Sequence, residues 1–236
     1  MEQTKENKMG VMPVNKLLVT MSLPIVISML IQAMYNLVDS VFVAQINPDA
    51  LTAVGMAFPM QSLMIAFQTG LGVGMNALVS RYLGQKKPYE AGLAATHALI
   101  LTALNYVIFL IVGLTAIPAF FSIQTHSEII AGYGVEYLSI VCCGSLGLFF
   151  QIYGERILQA TGKTLLSMVS QILGAVINIV LDPVFIFGID FLGIPAMGVT
   201  GAAIATVTGQ IIAAAVGFLL HHFHNKELRL VFRKFR

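Results

Sequence analysis

The sequence predicts an all-α membrane protein with six transmembrane helices, and three observations carry that prediction. Of the 236 residues, 57% are apolar and 10% are charged, against about 45–50% and about 25% in a soluble domain. Six long apolar segments follow one another, separated by short polar connections. All 13 Lys and Arg residues lie outside these segments or near their ends. An ordinary soluble enzyme is therefore excluded, and so is a disordered chain, which requires low hydrophobicity.

Three regions divide the chain. Residues 1–16 form a polar tail, residues 17–220 form the transmembrane part, and residues 221–236 form a basic segment. A spanning helix takes roughly 20 apolar residues, and the transmembrane part contains one such stretch in each apolar segment. The segments are Leu17–Ile46, Leu51–Leu83, Ala91–Phe121, Ile130–Leu158, Leu165–Ile189 and Ala196–Leu220.

The positions of the basic residues predict the topology. Connections near Asn47–Asp49, Ser122–Glu128 and Asp190 carry no Lys or Arg. By the positive-inside rule, both termini are expected in the cytoplasm. A wrong helix count would mix the two sets of connections. The basic residues lie in the N-terminal tail (Lys5, Lys8, Lys16), the second connection (Arg81, Lys86, Lys87), the fourth (Arg156, Lys163) and the C-terminal segment (Lys226, Arg229, Arg233, Lys234, Arg236).

Proline residues inside the first, second and fifth segments are expected to affect the helices there. Pro24 in the first and Pro59 in the second each remove a backbone hydrogen bond, which favours a bend. Pro183 lies near the outer end of the fifth segment, where we expect it to break the helix. The sixth segment opens with small residues suited to close helix approach, namely Gly198, Gly201, Ala202, Ala203 and Ala205.

The first candidate functional residue is Asp39, in the outer half of the first helix. A charged side chain at the bilayer centre costs at least ~2.5–3.5 kcal/mol, so such residues are candidates for function. Gln32, Asn36 and Asp39 are spaced i, i+4, i+7 and share one helix face.

A matching set lies on the fifth helix, which runs in the same direction. Gln171, Asn178 and Asp182 are spaced i, i+7, i+11 and share one face. Each Asp therefore has an Asn about one turn below it, and the two carboxylates are expected at a similar depth. One interpretation is a pair of polar contacts that hold helices together. The other is a proton- or cation-binding site that faces a polar cavity.

Three further polar residues are less specific. Glu136 is expected to reach the outer interface, and Glu155, beside Arg156, is expected to be solvated or locally paired. Gln151 either lines a cavity or packs. No Cys or His spacing indicates a metal site, so the only metal ion we expect is Na⁺ at a coupling site.

Several segments together resemble the multidrug and toxic compound extrusion (MATE) family, and more closely its bacterial branch related to the DNA-damage-inducible protein F group. The strings NIVLDPVFIFG from Asn178 and MGVTGAAIATV from Met197 are the most specific. The others are NLVDSVFVAQI from Asn36, GLGVGMNALVSRYLGQKK from Gly70 and QATGKT from Gln159.

The resemblance implies a transporter of two six-helix lobes, of which this chain is the N-terminal one, with residues 221–236 as the linker between lobes. Asp39, Asn178 and Asp182 match the family's N-lobe cation site, and Thr200 lies near the position of a site threonine. One departure concerns the end of the fourth span, where the family shows a basic residue followed by GN. Gln159, Gly162 and Lys163 stand there instead, and Gln151 or Glu155 is a candidate replacement for the missing Asn.

The resulting prediction is half of an antiporter that exports small, often cationic, organic compounds and is driven by H⁺ or Na⁺. It needs no cofactor, is not an enzyme and has no nucleic-acid partner. We expect it in the cell (inner) membrane as a multi-pass protein, paired with a C-terminal lobe or a second copy. Asp39, Asn36, Asn178 and Asp182 would bind the coupling ion, and Gln32, Gln151, Gln171 and Thr200 would line the cavity.

Three alternatives stay open. A lipid-linked oligosaccharide flippase of the same superfamily tends to have a cationic cavity, whereas we expect no Lys or Arg at mid-membrane here. An intramembrane aspartyl protease would use Asp39 and Asp182, but the motif of that family is GxGD and Asp182 lies in IVLDP. The third is a non-transporting fragment, because one lobe alone cannot alternate access.

Overall fold

The computed structural model describes residues 8–189, 193–225 and 227–231, and the regular structure of this part of the chain is helical. Five helices, α2, α3, α4, α8 and α9, are long and apolar enough to cross a membrane, and the bent pair α6 and α7 makes six when it is taken as one span. The helices are α1 (Lys8–Val11), α2 (Val14–Ala44), α3 (Pro48–Gly84), α4 (Pro88–Thr115), α5 (Ile117–Gln124), α6 (Glu128–Cys143), α7 (Leu146–Ala160), α8 (Thr164–Phe187) and α9 (Gly198–His224).

The predicted all-α membrane fold is confirmed, since large apolar side chains cover the outside of the bundle, where only lipid satisfies them. The start of α2 and the end of α9 lie at one end of the bundle, which we call the inner end; the turn before α3 lies at the outer end. The predicted side of each end stays a prediction. Six residues used for that prediction lie outside the described part of the chain, namely Lys5, Asp190, Lys226, Arg233, Lys234 and Arg236.

The fourth span is not the single helix that the sequence predicts. α6 and α7 meet at a bend of 47°, and Gly144 and Ser145 lie between them. Sharp bends favour Gly/Ser pairs. Ser145 donates to the carbonyl of Cys142 at 2.6 Å, and a Cβ on Gly144 would lie 2.5 Å from Val207 of α9. The bend thus lets α6 approach α9 closely.

Two further expectations about the helices need correction. The third span is divided at Ala116, because Pro118 in the first turn of α5 cannot donate to the ladder of α4. The fifth span, in contrast, is not broken at Pro183, since α8 continues through it to Phe187. One missing donor leaves the other hydrogen bonds of the helix in place, and α8 ends instead at Gly188, whose φ is +74°.

Small residues bring α8 and α9 together, as the sequence predicts for the start of α9. A Cβ on Gly201 would lie 2.4 Å from the carbonyl oxygen of Phe185, and one on Gly174 would lie 2.7 Å from the Cβ of Ala213. A Cβ on Gly209 would lie 2.8 Å from the carbonyl oxygen of Gly174. No larger side chain fits at these three positions without separating the two helices.

The chain after α9 turns back along the inner end of the bundle. We call residues 225 and 227–231 the inner strap. Asn225 donates to the hydroxyl of Thr161 at 3.0 Å, and the backbone N–H of Val231 donates to the hydroxyl of Thr96 at 2.9 Å. Leu228, 1% exposed, packs in an apolar cluster with Val79. This part of the predicted basic segment therefore binds to the protein itself.

Lys163 holds the start of the inner strap from the α7–α8 turn. Its ammonium donates to the carbonyl of His224 and, at 3.4 Å, to the side-chain oxygen of Asn225. Partial burial lowers the pKa of Lys163, while the negative charge of Glu227 raises it. Lys163 thus marks the end of the span, as predicted, and also ties that end to the strap.

Gly92 allows the inner strap to dock. A Cβ there would lie 2.2 Å from the carbonyl oxygen of Arg229, so we expect Gly92→Ala to release the strap and to destabilise the protein by about 1–3 kcal/mol. Gly74→Ala is the matched control, because a Cβ on this helical glycine meets no atom within 4 Å. Thermal unfolding and trypsin cleavage at Arg229 measure the two effects. Equal stability and cleavage in both variants would show that the strap is not held at Gly92.

Candidate functional site

The site lies where α2 runs along α8. These helices pack extensively, and two of their contacts mark the ends of the site. The side chain of Gln171 donates to that of Gln32 at 2.9 Å, and the ring of Phe42 meets that of Phe187 edge-on, with the centroids 6.3 Å apart. The first contact lies towards the inner end and the second towards the outer end. Asp39 of α2 and Asp182 of α8 lie between them.

Asp182 is completely enclosed, with 0% of its surface exposed. The side-chain amide of Asn178, one turn earlier on α8, donates to its carboxylate at 3.3 Å. The same amide lies 3.3 Å from the hydroxyl oxygen of Thr206 on α9. Gly209 makes room for this arrangement, since a Cβ there would lie 3.2 Å from the Cβ of Asn178. The Asn–Asp pair predicted on the fifth span is therefore formed.

Asp39 is 9% exposed, and its Oδ1 atom is enclosed without a hydrogen-bond partner among the described residues. Asp39 lies on α2, which packs along α8, the helix that carries the buried carboxylate of Asp182. Two carboxylates in a poorly hydrated place repel each other strongly, and an enclosed oxygen without a partner costs about 1–3 kcal/mol or more when charged. A proton or a small cation between them removes both costs.

Two cavities of about 360 Å³ each meet at this level. The outer cavity contains Asp39 and Asn36, and the inner cavity contains Asn178 and Glu155. Asp182 lines neither of them, because Asn178 and Thr206 lie in front of it. The two cavities adjoin, since both are lined by Gln32, Tyr35, Ile65, Leu148, Thr206 and Gln210; we call the pair the cleft.

Comparison with known proteins identifies the family. The MatE family model matches residues 24–184, more than half of the chain. The chain belongs to the MatE family. That match contains α8 as far as Asp182, so both carboxylates lie within the family's own domain. The finer placement in the DNA-damage-inducible protein F branch stays a prediction.

Solved MATE structures share the fold closely. The chain superposes on the crystal structure of a MATE mutant with a TM-score of 0.88 and 31% identity, over 99% of this chain and 51% of that one. It also superposes on a MOP superfamily transporter from Pyrococcus furiosus, for which a reversed polarity of the binding pocket suggests a different function. There the TM-score is 0.84 and the identity 32%, over 94% of this chain and 48% of that one.

Two curated relatives are also similar. One is the FAD transporter of Shewanella oneidensis, 29% identical over 152 residues. The other is the multidrug export protein MepA of Staphylococcus haemolyticus, 27% identical over 156 residues. These alignments cover 64% and 65% of this chain but 34% of each relative. The chain thus spans about half of the solved MatE structures and matches about a third of each curated relative.

The structure brings most of the predicted MatE site residues to the two cavities. Gln32, Gln151 and Gln171 line the inner cavity. Asn36 lines the outer cavity but is exposed, and no hydrogen bond joins it to Asp39. Thr200 lines neither cavity, because it lies near the outer end of α9, where its hydroxyl donates to Glu136.

Several residues that line the cavities were not predicted from the sequence, among them Tyr35, Tyr137, Thr206 and Gln210. Helical spacing could have found some of them. Tyr35 lies three residues after Gln32 and four before Asp39, on the same face of α2, and Thr206 and Gln210 are spaced i, i+4 on α9. Tyr137 carries no such signal, since its burial depends on how α6 packs against its neighbours.

Glu155 and Arg156 both line the inner cavity, and the expected local pairing of Glu155 is made with Gln151. Glu155 was expected to be solvated or locally paired at the inner end; it is 7% exposed, accepts from Gln151 at 2.9 Å and lines the inner cavity. Arg156 was assigned to the fourth connection, but it lies inside α7 and lines the same cavity. The helix continues to Ala160, about one turn beyond Arg156, so the residue is placed deeper than its position in the sequence suggests.

Substitution of Gly209 tests whether the close contact between α8 and α9 holds the site together. We expect Gly209→Ala to destabilise the protein by about 1–3 kcal/mol, because its Cβ would push α9 away from Gly174 and Asn178. Gly217→Ala on the same helix is the control, since its Cβ would make ordinary contacts at 3.9 Å or more with Ser170. Thermal unfolding of the purified protein measures both changes. A Gly209→Ala variant as stable as Gly217→Ala contradicts the close contact described here.

Proposed function

We propose that this chain is the N-terminal half of an antiporter that exports small organic compounds in exchange for H⁺ or Na⁺. The observation that carries the proposal is the enclosed Oδ1 of Asp39, without a partner among the described residues, on a helix that packs along α8 with its buried carboxylate Asp182. Such a pair is stable only when a cation reduces its charge. The membership in a transporter family and the multidrug export relative support the export function.

In the proposed cycle, a cation enters the outer cavity and binds between Asp39 and Asp182. Asn178 and Thr206 fix the carboxylate of Asp182, and Asn36 offers a neutral oxygen at the mouth of the outer cavity. Binding removes the repulsion between α2 and α8, and release restores it. A cation that moves through the membrane field gains about 2.3 kcal/mol per charge per 100 mV, enough to bias the equilibrium between two conformations of the lobe.

The two adjoining cavities of the cleft provide the place for the exported compound. Its lining combines amide and phenol groups, from residues such as Gln32, Tyr35 and Gln210, with apolar side chains, from residues such as Ile65 and Leu148. Ligand sites commonly join a mainly apolar wall with a few polar groups. When a cation occupies the carboxylates, α2 and α8 close together, and the space for the compound changes with them. This link between the two sites is what would couple export to ion entry.

The alternatives are less well supported. Arg156 in the inner cavity removes one argument against a flippase, but the adjacent Glu155 leaves this cavity without a net positive charge from the pair. We infer that the protein is a transporter and not a protease, because Asp182 is 0% exposed and lines neither cavity. A group as large as a peptide bond therefore does not reach it, whereas a proton or a small cation needs only a small displacement. In a bacterial cell, we expect the protein in the inner membrane.

Ion-driven efflux from vesicles tests the proposal. Asp39→Asn and Asp182→Asn each keep the size of the side chain but remove its charge, and we expect each to lower the ion-driven rate by about 10- to 100-fold, the cost of losing one charged ligand. Asp49→Asn, at the exposed start of α3, is the control and should transport like the wild type. Wild-type rates in both cleft variants would rule out this mechanism.

A second lobe is part of the proposal. The chain covers about half of the solved relatives, and α2 leaves large apolar side chains exposed along its length. We expect the lobe to function with a C-terminal lobe or with a second copy of itself. Native mass spectrometry of the 236-residue protein in mild detergent distinguishes the two: a dimer indicates a second copy. A monomer that transports alone would contradict the need for any partner.

A further inference from the structure

Two oppositely charged side chains line the inner cavity without forming an ion pair with each other. Glu155 and Arg156 are adjacent in α7, and neighbouring helix positions point in different directions. The carboxylate of Glu155 accepts instead from Gln151 at 2.9 Å. The guanidinium of Arg156 donates through Nη1 to the side-chain oxygen of Gln159 at 3.0 Å. Both charges therefore remain available to a third molecule.

Neighbouring residues fix the position of the Arg156 side chain. Its side chain crosses Gly72 of α3, where a Cβ would lie only 2.7 Å from Cγ of the arginine. Its Nε atom is enclosed and has no hydrogen-bond partner among the described residues. A buried N–H of a charged group without an acceptor is costly. The enclosed Nε is not reached from the cavity, but the guanidinium that lines it has donors beyond the Nη1 bond to Gln159. Since these donors form a planar fork that matches an oxyanion, an oxyanion in the cavity would find partners there.

We propose that the inner cavity binds zwitterionic organic solutes, with the oxyanion at Arg156 and the cationic group at Glu155. This inference rests on the proposed export function and names the class of compound that the cleft takes. A purely cationic solute is attracted by Glu155 but repelled by Arg156. A purely anionic solute is attracted by Arg156 but repelled by Glu155. Only a solute with both charges satisfies both side chains, while amides such as Gln32 and Gln171 bond to its neutral parts.

A matched pair of dyes tests the proposal on the purified protein in detergent. Rhodamine 110 is a zwitterion with a free carboxylate, and rhodamine 123 is its methyl ester, which carries only the positive charge. Fluorescence anisotropy gives the affinity for each dye without any ion gradient. We expect the wild-type protein to bind rhodamine 110 more tightly than rhodamine 123.

Arg156→Gln should lower the affinity for rhodamine 110 by at least about tenfold, as expected for the loss of a charge-assisted hydrogen bond, without weakening the binding of rhodamine 123. Gly72→Ala should act in the same direction, because its Cβ displaces the arginine. Glu155→Gln should weaken both dyes, since both carry the positive charge. Arg81→Gln, at the exposed end of α3, is the control and should bind both dyes like the wild type.

Three results would overturn the proposal: no binding of rhodamine 110 to the wild type, no preference for it over rhodamine 123, or an equal loss of both dyes in Arg156→Gln. Arg156→Lys is the control for misfolding. It keeps the positive charge, so it should retain part of the preference for rhodamine 110. The assay is independent of ion coupling. Normal dye preference with no ion-driven efflux would contradict the proposed antiport alone, and efflux without the preference would contradict this inference alone.

Discussion

The contact between α8 and α9 is the constraint on which the rest of the site depends. Where Gly174 meets Ala213 and Gly209 meets Gly174, the two backbones approach too closely for any additional side-chain atom. This proximity brings Thr206 next to Asn178, and Asn178 in turn holds the carboxylate of Asp182. In lipid, helices gain little from the hydrophobic effect, so small residues and polar contacts must supply the association. The close contacts between α8 and α9 therefore stabilise the bundle and also position the residues that line the cleft.

Helix α2 is held differently, and the difference has a functional consequence. One hydrogen bond between Gln32 and Gln171 and one aromatic contact between Phe42 and Phe187 join it to α8, while much of its surface is exposed. Helix α2 packs extensively on α8 but makes few contacts with α3 and α9. In the proposed mechanism, the occupancy of the carboxylates therefore acts on a helix that is held mainly from one side. In our account, the rigid α8–α9 pair holds the site and α2 responds to its charge.

The sequence predicted the spans, the carboxylates and the Asn178–Asp182 pair, because long apolar runs and charges inside them have few explanations in a membrane. It did not distinguish Thr206 from Thr200. Both are threonines among small residues of α9, and only the rotation of α9 against α8 shows which of them faces the cleft. The depth of Arg156 was hidden because a basic residue near the end of a span normally marks the interface. The docking of Leu228 was also missed, since an apolar residue in a basic tail equally fits a membrane surface.

The central claim is that Asp39 and Asp182 bind one shared ion, and a double-mutant cycle on ion affinity tests it most directly. The ion is titrated, as pH or as Na⁺, against bound dye, and its affinity is compared among the wild type, Asp39→Asn, Asp182→Asn and the double variant. Contributions of groups that act on one ligand are not additive. The account predicts that the double variant loses no more affinity than either single variant. Losses that add up in the double variant would show two independent sites and contradict the account.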